Sequence, residues 1–583
     1  MLINSNIQIM RAIALLMVFL YHLDVGFMRF GYLGVDIFFV ISGFLMPLIL
    51  DKYNAYSYIK ARVKRLYPAM SFVVLISLIL GYFLLLPGEY ISLSISALNN
   101  FIFTSNLFFL FNTGYFDIDA KQQFLLHTWS LGNEFLAYFL IFISWLFIGQ
   151  KHLKHVAYLF SILSLIYLLV FGADLRYLDP IPRLYVFFTS FIISYQCKNI
   201  KFRDSYLILI SLLCLSILYI FFSNDILTRN WPNYSIVFLP FIIAPLLLLK
   251  RELIPNGILK RIFLLIGAWS YSIYLWHWLI ISSEFALLRN NSVFSISEAV
   301  ILFIPGFIMG VFSYYVIEKN LKFCIVTTFL SILLATAIYF SNGFESRVSP
   351  DVVKYTTNVN NYGVDYIDTF SLGDLTISTV QEFDNISNKV LVIGDSFSQH
   401  ILPFMKNSRY ESYSIYRLAL QPDELKQYWI QVNSYIEKNE IKEVIVSWSL
   451  STKNNTNIKS ITSNLNEAHK FRLLLIKDIP RLKEKNTLSC YLREHSSLQY
   501  IGCDFNVENG IPLDKVWNRN NANWLYLKDN AVEYELLDTH KKLCSNDTCP
   551  LIINNEFIMR DRSHFNEKLS IKTNKIIGEL LFQ

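Results

Sequence analysis

Charge is what this chain has least of. Asp, Glu, Lys and Arg make up 16% of its 583 residues against 54% hydrophobic ones, with a mean hydropathy of +0.39. That balance excludes an ordinary soluble protein, and the length excludes a single domain. No C-x-x-C pair occurs, which weakens a zinc-site reading of the cysteines. No small-residue cleavage site follows the first apolar run, so that run reads as structure and not as a removable signal. Beyond residue 340 no apolar run is long enough to cross a bilayer.

What is present before residue 340 is a series of such runs. Eleven spans are expected, at 8–25, 31–50, 69–87, 126–148, 155–172, 182–197, 205–222, 233–249, 263–287, 296–317 and 323–340. Basic residues fall in alternate loops: Lys52, Lys60, Arg62, Lys64 and Arg65, then Lys151 and Lys154, then Lys198, Lys201 and Arg203, then Lys250, Arg251, Lys260 and Arg261. Because Lys and Arg are retained on the cytoplasmic side, this pattern predicts a cytoplasmic N-terminus. An odd number of spans then puts everything after residue 340 outside. The net charge of +6 reads as a signature of topology and implies no nucleic-acid partner.

Cysteine placement agrees with that topology. Cys197, Cys214 and Cys324 lie in or beside spans, while Cys490, Cys503, Cys544 and Cys549 fall in the outer part, where disulfides persist. Four cysteines allow three pairings; the short loops Cys490–Cys503 and Cys544–Cys549 are favoured over a four-ligand zinc site.

Ionisable residues inside spans are costly and point to function. Arg11 and His22, eleven residues apart in RAIALLMVFLYH, return to nearly the same helix face about 16 Å apart along the axis. The second span holds Asp36 in GVDIFFVISGFLM, and 62-RVKRLYP-68 reads as a basic cytoplasmic turn. With 115-YFD-117, 126-LHTWSLGNEF-135, 270-SYSIYLWHW-278 and 318-EK-319 in order, residues 8–320 resemble the acyltransferase-3 family of membrane acyltransferases. The resemblance implies transfer of an acyl group, usually acetyl from acetyl-CoA, to a sugar hydroxyl. It puts activity on Arg11 and His22. Imidazole suits a base or nucleophile near neutrality, and a guanidinium suits CoA phosphates or developing negative charge. Glu134 is expected to orient His22 or accept the hydroxyl proton; Asp36, Arg62 and Arg65 are expected at the donor site with Arg11. The second glutamate that the family commonly carries after Glu134 is missing, since Phe135 and Leu136 follow. His277 reads equally as a functional group and as a packing hydrogen-bonder.

The outer part begins with an Asn-, Ser- and Thr-rich stretch, 341–388, read as a linker or extension. From 389 the pattern becomes strand, turn, helix: KVLVIG, then Gly394-Asp395-Ser396, then SFSQH. A helix-like 423–439 leads into a second buried strand at 442–448, the alternation of a parallel sheet covered by helices. A serine at such a turn stands at the carboxyl edge of the sheet, and 561-DRSH-564 offers His564 as its base with Asp561 to orient the imidazole. These motifs, with the Cys544–Cys549 loop, resemble an SGNH hydrolase domain of the kind fused to acyltransferase-3 domains. That implies a three-layer α/β fold with Ser396 as nucleophile. The oxyanion hole departs from the family: 418-LALQPDEL-425 lacks the usual glycine, and Ser447-Trp448-Ser449 stands where asparagine is expected.

The expected architecture is thus a polytopic helical membrane domain (1–340), a linker (341–388) and an extracytoplasmic SGNH-like domain (389–583). The expected function is an O-acetyltransferase of the bacterial inner membrane, with acetyl-CoA as donor, no permanently bound cofactor or metal, and a surface glycan such as lipopolysaccharide O-antigen as acceptor. Peptidoglycan is the alternative acceptor. A glycan-binding or export protein with a de-acylating esterase domain is the alternative of another class, and the sequence leaves the oligomeric state open.

Overall fold

A computed structural model describes residues 5–28, 30–112, 120–171, 177–197, 200, 203–223, 235–287, 294–348, 366–383, 388–449, 471–482, 509–517, 522–529, 534–545, 547–559, 563–566 and 569–583. Met1–Ser346 and Arg347–Gln583 form two compact units.

In the first unit the apolar runs fold as helices, the form that satisfies each backbone N–H and C=O within its own segment. They are α1 (Ser5–His22), α2 (Leu33–Leu50), α3 (Ala55–Leu84), α4 (Pro87–Phe101), α5 (Ser105–Asn112), α6 (Trp129–Ile148), α7 (Leu153–Phe171), α8 (Pro180–Cys197), α9 (Asp204–Ser223), α10 (Leu239–Leu248), α11 (Ile258–Ala286), α12 (Ile296–Val316) and α13 (Leu321–Phe340). Every expected span falls on one of them. Among the described residues, eight helices are long and apolar enough to cross a membrane: α1–α3, α6, α7 and α11–α13. Helices α4 and α5 stand where no span is expected.

The basic segment 62–68 is not a turn. It lies inside α3, which starts at Ala55 behind a capping box in which the Asn54 side chain accepts from Ser57 N at 2.8 Å while the Ser57 hydroxyl accepts from Asn54 N. The helix then runs on through the arginines and past Pro68. Arg62 and Arg65, three residues apart, therefore share a face.

Helix α1 is the centre of this unit, packed against α2 and α11. Glycine allows both approaches: a Cβ at Gly34 would lie 2.4 Å from the Ala14 carbonyl oxygen, and one at Gly267 would lie 2.1 Å from that of Gln8. The outer faces are apolar instead, with Leu163, Ile166 and Val170 of α7 and Ile325 and Phe329 of α13 exposed. This is the inverse of a soluble helix and fits a lipid surround.

The second unit is built on a seven-stranded sheet. Strands β3 (Lys389–Gly394), β4 (Ser414–Ala419), β5 (Glu443–Ser447), β6 (Arg472–Ile476) and β7 (Glu535–Leu537) run parallel in the order β4-β3-β5-β6-β7. Two antiparallel strands, β1 (Asp368–Leu372) and β2 (Leu375–Gln381), extend it beyond β4. They come from the 341–388 stretch, joined by a two-residue turn that Gly373 closes at φ 61°. Alternation along β3 sends Val390 and Val392 to one core, with Phe404 and Ile577, and Leu391 and Ile393 to the other, with Val432 and Trp524. Helix α14 (Pro422–Lys438) covers the second face and α15 (Ile571–Phe582) the first, which gives three layers. Cys544 and Cys549 form a disulfide; Cys490 and Cys503 lie outside the described residues, as does the 115–117 motif.

Candidate active sites

In the helical unit, Arg11, Arg62 and Arg65 line a cavity together with Glu134. Gathering three like charges in one partly buried chamber favours an anionic occupant or nearby carboxylates. Glu134 and Glu318 interact electrostatically with both Arg11 and Arg65. Glu134 is held by two hydroxyls: Ser42 Oγ of α2 donates to its Oε1 at 2.5 Å, and Tyr138, one turn along α6, donates to the same oxygen. Glu318 accepts from Ser272 Oγ at 2.9 Å. Glu134 thus belongs with the arginines, and the expectation that it orients His22 gives way to a different arrangement.

His22 faces a second cavity, whose walls include Tyr21, Tyr32, Trp129, Tyr177, Trp278 and Phe285. The two cavities share Val35 and Tyr274 in their linings. Tyr274 is fixed there by its hydroxyl, which lies 2.9 Å from the His127 carbonyl oxygen and 2.8 Å from Ser130 Oγ. So Arg11 and His22 share a helix face, as their spacing predicts, yet line different chambers. His22 Nδ1 lies 3.0 Å from His277 Nε2, with the two rings stacked. The Trp278 ring meets His22 edge-on at 4.7 Å.

Asp36 is elsewhere. It is fully buried between helices, where Arg183 of α8 places Nε 3.3 Å from its Oδ1. The Arg183 guanidinium lies over the Tyr177 ring at 4.4 Å. A carboxylate neutralised this way is a tie between α2 and α8 and does not line the arginine cavity. Removing one partner of a buried pair leaves an uncompensated charge, at about 3–5 kcal/mol. Arg183→Met is therefore expected to lower the melting temperature of the detergent-solubilised chain sharply. Adding Asp36→Asn should recover most of the loss. A double variant no more stable than Arg183→Met would show that the pair does not act as a tie.

In the second unit, Ser396 Oγ lies 2.9 Å from His564 Nε2. Ser396 follows β3 directly, at the point where the parallel strand order reverses: the chain leaves β3 for β4 on one side and returns to β5 on the other. Such a switch point opens a crevice at the carboxyl ends of the strands. Gly394 makes the tight exit from β3, since a Cβ there would lie 1.9 Å from the Ser447 carbonyl oxygen. Asp395 then staples the turn: its Oδ1 accepts from Phe397 N at 3.0 Å and its Oδ2 from Ser449 N at 3.1 Å. Its carbonyl oxygen accepts from Arg417 Nη2 at 3.1 Å. The Ser449 amide is thus engaged in holding the turn. His564 is fully buried, its ring against Phe397 and His400. Asp561 lies outside the described residues.

The structure brings together Arg11, Arg62, Arg65 and Glu134 in one group and Ser396 with His564 in another. Sequence reasoning missed Arg183, Tyr138 and the contact of His277 with His22. Tyr138 was findable, since it sits four residues after Glu134 on one helix face.

The comparisons with known proteins agree with this division. Residues 4–318 match the acyltransferase domain model of the acyltransferase-3 family, and residues 371–576 match the SGNH domain that is fused to such domains. A Staphylococcus aureus protein (strain MRSA252), provisionally named an O-acetyltransferase, is 25% identical over 544 residues, covering 82% of this chain and 87% of its own length. The O-acetyltransferase OatA of S. aureus (strain NCTC 8325 / PS 47) is 28% identical over 301 residues, and its match covers 47% of this chain and 49% of its own. No solved structure matches the chain. With a helical unit matched almost throughout and a Ser–His pair at the edge of a mostly parallel sheet, the chain belongs to the acyltransferase-3 family of membrane O-acetyltransferases, with an SGNH domain fused at its C-terminal side.

Proposed function

We propose that the chain moves acetyl from cytoplasmic acetyl-CoA to a hydroxyl of a bacterial surface glycan on the far side of the inner membrane. The observation that carries this reading is the pair of adjoining cavities, one basic and one aromatic, with His22 in the second. Arg11, Arg62 and Arg65 suit the phosphates of CoA, which guanidinium groups bind through charge-assisted hydrogen bonds. Aromatic walls suit the apolar faces of a sugar ring.

The chemistry follows from the residues. The imidazole of His22 takes the proton of an incoming hydroxyl while its oxygen attacks the thioester carbonyl; the tetrahedral adduct collapses, and the departing thiolate receives that proton. On the outer side, the Ser396 hydroxyl attacks the carbonyl of the ester so formed while His564 takes its proton and returns it to the departing carrier alcohol; a glycan hydroxyl then attacks the acetyl-serine in the same way, and the serine leaves with its proton restored. The alternating basic loops support a cytoplasmic N-terminus, and an odd number of spans would then carry the SGNH domain to the other side.

The relatives that align with the chain are named O-acetyltransferases, which supports the transfer to a hydroxyl, with peptidoglycan standing beside O-antigen as acceptor. NMR of the surface glycans from cells with and without the protein is the test. One acetyl ester, at one hydroxyl position, is expected to disappear with the protein. Glycans identical in both strains would end the reading.

A further inference from the structure

The geometry points to His277 as a positioning residue that locks His22 in its reactive tautomer. This rests on His22 being the catalytic imidazole of the proposed function and adds the group that aims it.

His277 is fully buried on α11, backed by Phe19 with ring centroids 5.2 Å apart. Its Nδ1 is hydrogen-bonded to the carbonyl oxygen of Tyr274. A carbonyl only accepts, so Nδ1 of His277 carries the proton and Nε2 presents a lone pair. That lone pair lies 3.0 Å from His22 Nδ1. His22 must therefore donate from Nδ1, and its own Nε2 is left deprotonated. The chain of donors runs in one direction: His22 Nδ1–H to His277 Nε2, and His277 Nδ1–H to the Tyr274 carbonyl. The carbonyl fixes the polarity of the whole chain, and its position is itself fixed because Tyr274 is pinned by its hydroxyl.

The consequence is chemical. A histidine side chain free in water favours the proton on Nε2, the tautomer that offers no lone pair from that nitrogen. Here Nε2 of His22 holds its lone pair ready for the hydroxyl proton, while the imidazolium formed on proton transfer keeps its Nδ1–H bond to a neutral acceptor. When the thiolate leaves, Nε2 returns the proton and the dyad is restored, so that thioester and alcohol become thiol and ester with nothing left over. His22 lines the aromatic cavity and His277 does not. Substrate reaches one ring only, which makes His277 a support and not a reacting group.

The test uses the full chain in proteoliposomes, with radiolabelled acetyl-CoA and isolated peptidoglycan or O-antigen as acceptor. His277→Leu removes the acceptor of the His22 proton and should lower kcat about 100-fold with the KM for acetyl-CoA within about twofold of wild type. His277→Gln, whose amide oxygen stands near the position of Nε2, should retain activity to within about tenfold. NMR of isotope-labelled histidine, with His22 assigned by its disappearance in His22→Gln, should show Nδ1-protonated His22 in the wild type and in His277→Gln but not in His277→Leu. An Nε2-protonated His22 in the wild type overturns the inference without any variant having to fold, and so does full turnover by His277→Leu. Activity surviving in His22→Ala would instead remove the proposed role of His22 itself.

Discussion

Alanine at position 22 is expected to abolish acetylation of the surface glycan while the chain remains folded and in the membrane. A positioned acid–base group contributes about 10²–10⁴-fold to such a transfer, so alkali-labile acetate on the glycan should fall below about 1% of wild type. Folding should survive because His22 borders a cavity and makes its one described side-chain hydrogen bond to His277. The loss should appear in turnover and leave donor binding alone, because the arginines line the other chamber. Arg62→Ala provides the opposite signature: a raised KM for acetyl-CoA with a smaller change in kcat. If His22→Ala instead raised KM and spared kcat, the imidazole would be a binding group and the base would have to be sought among the other residues of the aromatic chamber.

Much of this arrangement is legible in the sequence wherever one physical preference dominates. A run of about 18 apolar residues has few fates: each expected span overlaps a helix, and eight of the described helices are long and apolar enough to cross a membrane. Strands β3 and β5, buried on both faces, read as continuous apolar runs for the same reason. The misses fall where preferences compete. The β1–β2 hairpin is rich in Ser and Thr because β1 is a largely exposed edge, so only Leu375, Ile377 and Val380 of β2 carry an apolar signal. The basic segment at 62–68 reads as a turn because proline and a cluster of charge usually end a helix; here the helix continues through both, with Leu66, Ala69, Met70 and Val73 packed in the core.

The site was legible as a set of residues and not as a set of contacts. Charge on Asp36 suggested the donor site, but the partner that neutralises it, Arg183, lies 147 positions away, and nothing local predicts that α2 and α8 touch. The same holds for His22 and His277, separated by 255 positions. Helix periodicity says which residues share a face and is silent about what that face meets.

Ser396→Ala is the substitution that separates the readings of the SGNH domain, because its sign differs between them. If Ser396 carries acetyl to the glycan, its removal should reduce alkali-labile acetate at least about 100-fold, with membrane insertion unchanged. If the domain removes acetyl groups, the same variant should raise the acetate level above wild type. An unchanged level would leave the domain with glycan binding alone. The geometry favours the first outcome or the second over the third, since the 2.9 Å contact of Ser396 Oγ with His564 Nε2 is the contact that acyl transfer through serine requires in either direction. The choice between those two turns on which nucleophile reaches the acyl-serine. Water and a sugar hydroxyl compete for the same ester, so the measurement has a second arm: His564→Ala should reproduce the sign found for Ser396→Ala, because the imidazole must take a proton from the serine and then from whichever nucleophile follows. Opposite signs for the two variants would mean that serine and histidine do not act as one unit, and the relay through Ser396 would have to be abandoned.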